Sequence, residues 1–143
     1  MKDDPRRRDP AAYPWRVELQ TRFADMDVNF HLNNVAITRF FEETRIRFNW
    51  ESITAGVPVE RPRYLVAHIA VDYLGEGRYP LPVLMTYAVG DIGRSSFRCA
   101  MAMFQAGACI ALSDSVLVYR GDAGPAPLPA LLKARLEAFP LAG

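Results

Sequence analysis

Between Arg22 and Asn34 the chain reads RFADMDVNFHLNN, which gathers Asp25, Asp27, Asn29, His31, Asn33 and Asn34 just ahead of an apolar stretch that starts at Val35. A carboxylate in such a place can take a proton from water or attack a carbonyl itself. Carboxamides and an imidazole beside it can orient the water or the carbonyl. If the apolar stretch is a helix, its first turn presents unpaired N–H groups and the positive end of the helix dipole. Such an end can hold an anion, including an oxyanion formed transiently on a carbonyl. Asp27 precedes the expected cap at Asn33 or Asn34 by six or seven residues, so it belongs to the approach loop. The same residue types also close turns and cap helices without any chemistry. Spacing alone leaves capping and catalysis both open.

The elements that must position this cluster can be read on either side of it. Trp15 to Phe23 alternates apolar and polar residues, the period of a strand. From Val35 to Trp50, Ile37, Phe40, Phe41, Thr44 and Phe48 fall on one helical stripe, with Arg39, Glu42, Glu43 and Arg47 mostly on the other side. With Trp50 at its end, the helix reads as buried along much of its length. After Gly56-Val57-Pro58 the texture becomes β-branched and aromatic. Strands are expected at Tyr64–Tyr73, Leu81–Val89, Ser95–Phe104 and Cys109–Tyr119, separated by short glycine-bearing turns. Gly121 to Pro129 is a proline-rich break, and Leu131–Phe139 reads as a short terminal helix. One strand, one apolar helix and four strands predict an α+β domain in which a sheet of about five antiparallel strands wraps one long central helix. The expected organisation is a flexible, charged arm over residues 1–14, a domain over 15–122, and an extension with a short helix over 123–143.

Composition bounds the function. The chain has 143 residues, half of them hydrophobic, enough for one domain with a sizeable core. Seventeen basic and 16 acidic residues leave a net charge of +1. That balance argues against nucleic acid as a partner. The one basic cluster, Arg6, Arg7 and Arg8, is interleaved with Asp3, Asp4 and Asp9 and reads as a solvated tail. Cys99 and Cys109 sit in apolar stretches and read as buried free thiols. No hydrophobic leader follows the charged start, and no run is long enough to span a membrane, so a cytoplasmic protein is expected. No G-x-G-x-x-G or P-loop occurs. The two histidines, His31 and His68, lie far apart in sequence with no CxxC, so neither a cofactor nor a metal is expected.

The stretch RFADMDVNFHLNNVAITRFFEETR resembles the hotdog-fold acyl-CoA thioesterases of the 4-hydroxybenzoyl-CoA thioesterase-like group, through Arg22, Asp25, Asp27, His31, Asn33, Asn34, Phe41, Glu43 and Arg45. Within it, DVNFHLNNV is similar to a D-x-N-x-H segment of acyl-carrier-protein thioesterases. VGDIGRSSF resembles the family's turn and strand start. The chain departs from the pattern at Phe30, where many relatives have glycine, and at Thr38, where they have an aromatic residue.

The resemblance implies hydrolysis of an acyl-CoA or acyl-carrier-protein thioester to a free acid and a thiol. Asp27 would be general base or nucleophile, Asn29 and His31 would orient water or carbonyl, and amides near Asn33 and Asn34 would hold the oxyanion. Arg94, Ser95 and Ser96 would meet CoA, and Glu43 and Arg45 would serve structure or an interface. It also implies a homodimer or a dimer of dimers. The alternatives are a hotdog hydratase or dehydratase and a non-catalytic acyl-binding module.

Overall fold

A computed structural model describes residues 2–56 and 63–143; Val57 and Pro58, in the expected break after the helix, lie outside the described residues. Strand β1 (Trp15–Leu19) leads through a 3-10 turn (Phe23–Asp25) to helix α1 (Asn34–Phe48), which continues into one π turn (Asn49–Ile53). Strands β2 (Arg63–Tyr73), β3 (Val83–Ile92), β4 (Ser96–Gln105), β5 (Ala108–Gly121) and the two-residue β6 (Gly124–Pro125) follow, and helix α2 (Ala130–Glu137) ends the chain. All strands pair antiparallel in the order β1-β3-β4-β5-β2, with β6 on β5. The expected sheet around one helix is present.

The stripe Ile37, Phe40, Phe41, Thr44 and Phe48 is buried against the sheet, mainly over β1 and β3. It meets Met85, Tyr87 and Val89 of β3 and Phe97, Cys99, Met101 and Met103 of β4, which alternate along their strands as period two requires. Between β4 and β5 the turn places Ala106 at φ 50° and Gly107 at φ 82°. Two positive φ values are what a two-residue hairpin with the right twist demands.

Three smaller expectations need correction. The first strand stops at Leu19, because the Thr21 hydroxyl bonds the Leu81 carbonyl (2.9 Å) and Asp25 folds back on the Arg22 N–H (2.8 Å) to close the 3-10 turn. Trp50 is 71% exposed, since the π turn rotates it off the buried stripe. Cys99 is a buried free thiol as expected, whereas Cys109, near the hairpin, is only half-buried.

The largest correction concerns the arm. Arg7 is fully buried on the sheet face opposite α1. Its Nη1 pairs with Asp114 Oδ1 at 2.7 Å, its Nη2 donates to the Met101 and Ser113 carbonyls, and its Nε donates to Tyr13 Oη at 3.0 Å. Tyr13 in turn covers a second small core of Ala88, Ala102, Phe104 and Leu112. The other end of the chain joins it, with the Ala142 N–H on the Ala12 carbonyl. The arm is drawn in because Asp114 points out of the sheet and apolar residues surround it. A sequence pattern of alternating charges does not reveal which of three arginines finds that partner.

These contacts can be tested by unfolding. Asp114→Ala strands a buried guanidinium and should cost about 3 kcal/mol of unfolding free energy in urea; a loss below about 1 kcal/mol would show that the arm is not docked. Burial pushes the Asp25 carboxyl up, but the Arg22 N–H, the Arg22 guanidinium and the Arg39 charge together hold it below the usual aspartate range. Its contribution is therefore fully present above the unfolded aspartate value of about 3.9 and is lost as pH falls through the folded value. Asp25→Asn should lower the urea midpoint at neutral pH and flatten its decline between neutral pH and pH 3; an unchanged decline would overturn the assignment.

Candidate active site

The quoted segment folds into a tight reversal ahead of α1. Met26 bridges Leu32 across it, the Asp27 N–H meets the His31 carbonyl at 2.9 Å, and the Phe30 N–H meets the Asp27 carbonyl at 3.0 Å. Phe30 takes φ 60°, so it adopts the left-handed conformation a glycine would favour and the loop keeps its turn at a local cost. One oxygen of the Asp27 carboxylate accepts the Asn29 N–H at 2.8 Å, with the His31 N–H more distant at 3.4 Å. The other oxygen has no such partner among the described residues, and Asp27 and Asn29 are exposed.

Each end of the reversal is anchored. The Asn33 N–H donates to the Asp25 carbonyl, and the Asn33 side chain caps α1 by accepting the Ala36 N–H at 2.7 Å. Asn33 is thus committed to the cap, and its amide is not free to hold an oxyanion. The N–H groups of Asn34 and Val35 head the helix, with no carbonyl one turn back to accept them, and both residues are exposed or partly so. Val35 was not legible as a donor, because a backbone amide leaves no side-chain signal.

The β2–β3 connection backs the loop. Gly77 accepts the Leu32 N–H at 2.8 Å, and a Cβ there would stand 2.7 Å from Leu32 Cδ1 and 2.9 Å from Ile110 Cδ1. Both neighbours are buried, so glycine permits this close approach. Gln105 bolts the connection down through the Arg78 N–H and the Arg78 and Leu81 carbonyls. His31 does not turn toward Asp27: its Nε2 lies 3.1 Å from Glu76 Oε2 on the same connection. Gly77, Gln105 and Glu76 carry no motif and were missed in the sequence.

The expected residues do not all converge. Asp27, Asn29, His31 and Asn34 share the helix entrance. Arg94, Ser95 and Ser96 form the turn at the far end of β3, roughly 30 Å along the strand from the Leu81 end that holds the loop. There the carbonyls of Arg94 and Ser95 brace Leu128 and Tyr119. Within one chain these residues cannot meet the same small group as Asp27. Glu43 pairs with Arg47 on the outer side of α1 at 3.2 Å, whereas Arg45 is buried. Among the described residues, no helix is long and apolar enough to cross a membrane.

Comparison with known proteins places this arrangement. A thioesterase from Thermus thermophilus, whose structure holds coenzyme A and zinc, is 31% identical, with 89% of this chain and 94% of that chain covered at a TM-score of 0.79. A protein from Pseudomonas aeruginosa PAO1 is 25% identical, covering 94% and 95% of the two chains at a TM-score of 0.81. A 1,4-dihydroxy-2-naphthoyl-CoA thioesterase from Synechocystis, 16% identical over 85% of this chain and 94% of that one, shares the fold at a TM-score of 0.72. A search of curated proteins finds no match. The fold is the hotdog fold. The model of the thioesterase-like superfamily matches residues 21–136, from just after β1 to the last helix, and the chain belongs to that superfamily.

Proposed function

We propose that this protein is an acyl-CoA thioesterase. The observation that carries the reading is the exposed Asp27 carboxylate, with one oxygen uncommitted, on the loop that delivers the chain to open helix N–H groups at Asn34 and Val35. The superfamily and the CoA-bound thioesterase from Thermus thermophilus support the substrate class.

In this reading the uncommitted Asp27 oxygen takes a proton from water as the water oxygen attacks the thioester carbonyl. The resulting oxyanion sits on the Asn34 and Val35 N–H groups, aided by the helix dipole. Collapse of the adduct restores the carbonyl, breaks the carbon–sulfur bond and releases the CoA thiolate, which takes up the proton. Direct attack by the carboxylate, with hydrolysis of the resulting anhydride, uses the same groups. Asn29 is close enough in sequence to orient the water, and the Glu76 carboxylate holds His31 at the rim.

A homodimer completes the proposal. The outer edge of β2 has no strand paired to it among the described residues, and Leu65, Ile69 and Tyr73 on it are each 41% or more exposed. Long apolar edges of this kind invite another strand. Exposed Phe23, Val28, Phe30 and Val35 ring the Asp27 loop and give a second copy apolar surface to cover. A second chain would also bring its own Arg94, Ser95 and Ser96 within consideration as CoA contacts.

Asp27→Asn should lower kcat/KM for the best acyl-CoA at least a hundredfold while leaving circular dichroism unchanged; a folded variant with full activity would overturn the assignment. Ile69→Lys should shift the sedimentation of the native species from dimer toward monomer. A wild-type protein that sediments as an active monomer would rule out the dimer.

A further inference from the structure

Between α1 and the sheet, six buried side-chain atoms have no hydrogen-bond partner among the described residues: Arg45 Nη1, Asn49 Oδ1, Tyr64 Oη, Tyr87 Oη, Ser113 Oγ and Ser115 Oγ. Tyr87 and Ser113 are fully buried, and Arg45 is 5% exposed. Leaving such a group unsatisfied costs its full desolvation penalty, and native proteins carry only a few. Here they share one place. Arg45 and Asn49 are one helical turn apart, and the Tyr87 ring stacks on Phe48 of the same helix at 3.9 Å. Ser115 pairs in register with Cys99, and Ser113 with Met101, which itself pairs with Tyr87. The Cys99 thiol, a weak partner by its chemistry, feels the Tyr87 and Ser115 hydroxyls and the Arg45 charge, against the burial that pushes it up. Tyr87 in turn feels Arg45 and Tyr64.

Arg45 has no carboxylate partner among the described residues. A buried cation without one is strongly disfavoured. The cluster also has a position relative to the reactive loop. Asn34 and Arg45 are separated by roughly 16 Å along α1 at 1.5 Å per residue. Along the sheet, Ile110 lies against the loop end, then comes the Met85–Met103–Ala111 row, then the row in which Tyr87, Met101 and Ser113 stand side by side, with Cys99 and Ser115 one row beyond. Methionines are unbranched and adaptable, so Met85, Met101 and Met103, all fully buried on this face of the sheet, can give way to an inserted chain.

We propose that this cluster receives the far end of the acyl group and selects medium-length acyl chains that end in a carboxylate, with a terminal hydroxyl the weaker alternative. The guanidinium supplies the charge and the Tyr87 and Ser115 hydroxyls the geometry. Methyl-ended chains would leave the Arg45 guanidinium without a counter-charge and the Tyr87 and Ser115 hydroxyls with only the Cys99 thiol, and a buried polar site discriminates strongly against a ligand that leaves its groups so poorly paired. The inference rests on the thioesterase reading for the position of the thioester, but not for the existence of the subsite.

The test compares octanoyl-, decanoyl- and dodecanoyl-CoA with their ω-carboxy and ω-hydroxy counterparts as substrates. Calorimetry of decanedioic acid against decanoic acid supplies a readout that needs no turnover. Wild type should favour the ω-carboxy thioester at least tenfold in kcat/KM and bind the diacid more tightly. Ser115→Ala and Tyr87→Phe should shrink that ratio. Arg45→Met should abolish it while the melting temperature holds or rises, since an apolar side chain replaces an unpaired charge. A falling melting temperature with the ratio unchanged would make Arg45 structural and overturn the subsite. Equal hydrolysis of methyl- and carboxyl-ended chains would overturn the subsite and leave the thioesterase standing, with water or the second chain as the occupant. Selective diacid binding without any hydrolysis would keep the subsite and remove the reaction. Neither hydrolysis nor selective binding would overturn both.

Discussion

The Asp25 carboxylate is the point on which the site depends. It is almost fully buried, and it accepts the Arg22 N–H, the Arg22 guanidinium and the Arg39 guanidinium, while the Asp25 carbonyl takes the Asn33 N–H. One residue thereby ties the 3-10 turn after β1, the end of the Asp27 loop and the first turns of α1 into a single rigid corner. A buried charge is tolerable only with such partners. Because the corner is over-determined, the loop between Met26 and Leu32 can hold Phe30 in a left-handed conformation and leave Asp27 facing solvent.

The two faces of the sheet carry different duties. The face toward α1 is built from aromatics and methionines, with the polar cluster set into it at the end away from the loop. The opposite face is covered by the chain's own termini, through the Arg7–Asp114 pair, Tyr13 and the strand-like contact of Ala142 with Ala12. Part of that face is therefore satisfied within one chain, and the unmet demand concentrates at the β2 edge and around the Asp27 loop. The proposed dimer would therefore form on the side where the proposed chemistry lies.

Capping and the proposed catalysis are not competing uses of the asparagine-rich segment. Asn33 caps and Asp27 closes a turn through one oxygen. The same bonds that build the cap leave the second Asp27 oxygen and the first helix amides open. Good local hydrogen bonding is what lets a preorganised site persist without substrate.

The chain's order of elements and the gathering of polar groups into one loop ahead of α1 were legible in the sequence because both are local. The period-two and helical stripes are set by neighbouring residues, and the segment from Asp25 to Asn34 places its capping and acidic groups within a few residues of one another. The resemblance carried the fold and the reaction class from the same stretch. Tertiary structure decided what depends on distant partners. Arg7 is buried rather than solvated because Asp114 waits on a strand more than a hundred residues away. Arg94, Ser95 and Ser96 end up far from Asp27 because β3 runs its full length between them. Gly77, Gln105 and Glu76 back the loop through contacts that no motif records. Arg45 reads as one more charge in a helix, and only the packing of α1 over the sheet turns it into a buried cation with no carboxylate partner among the described residues.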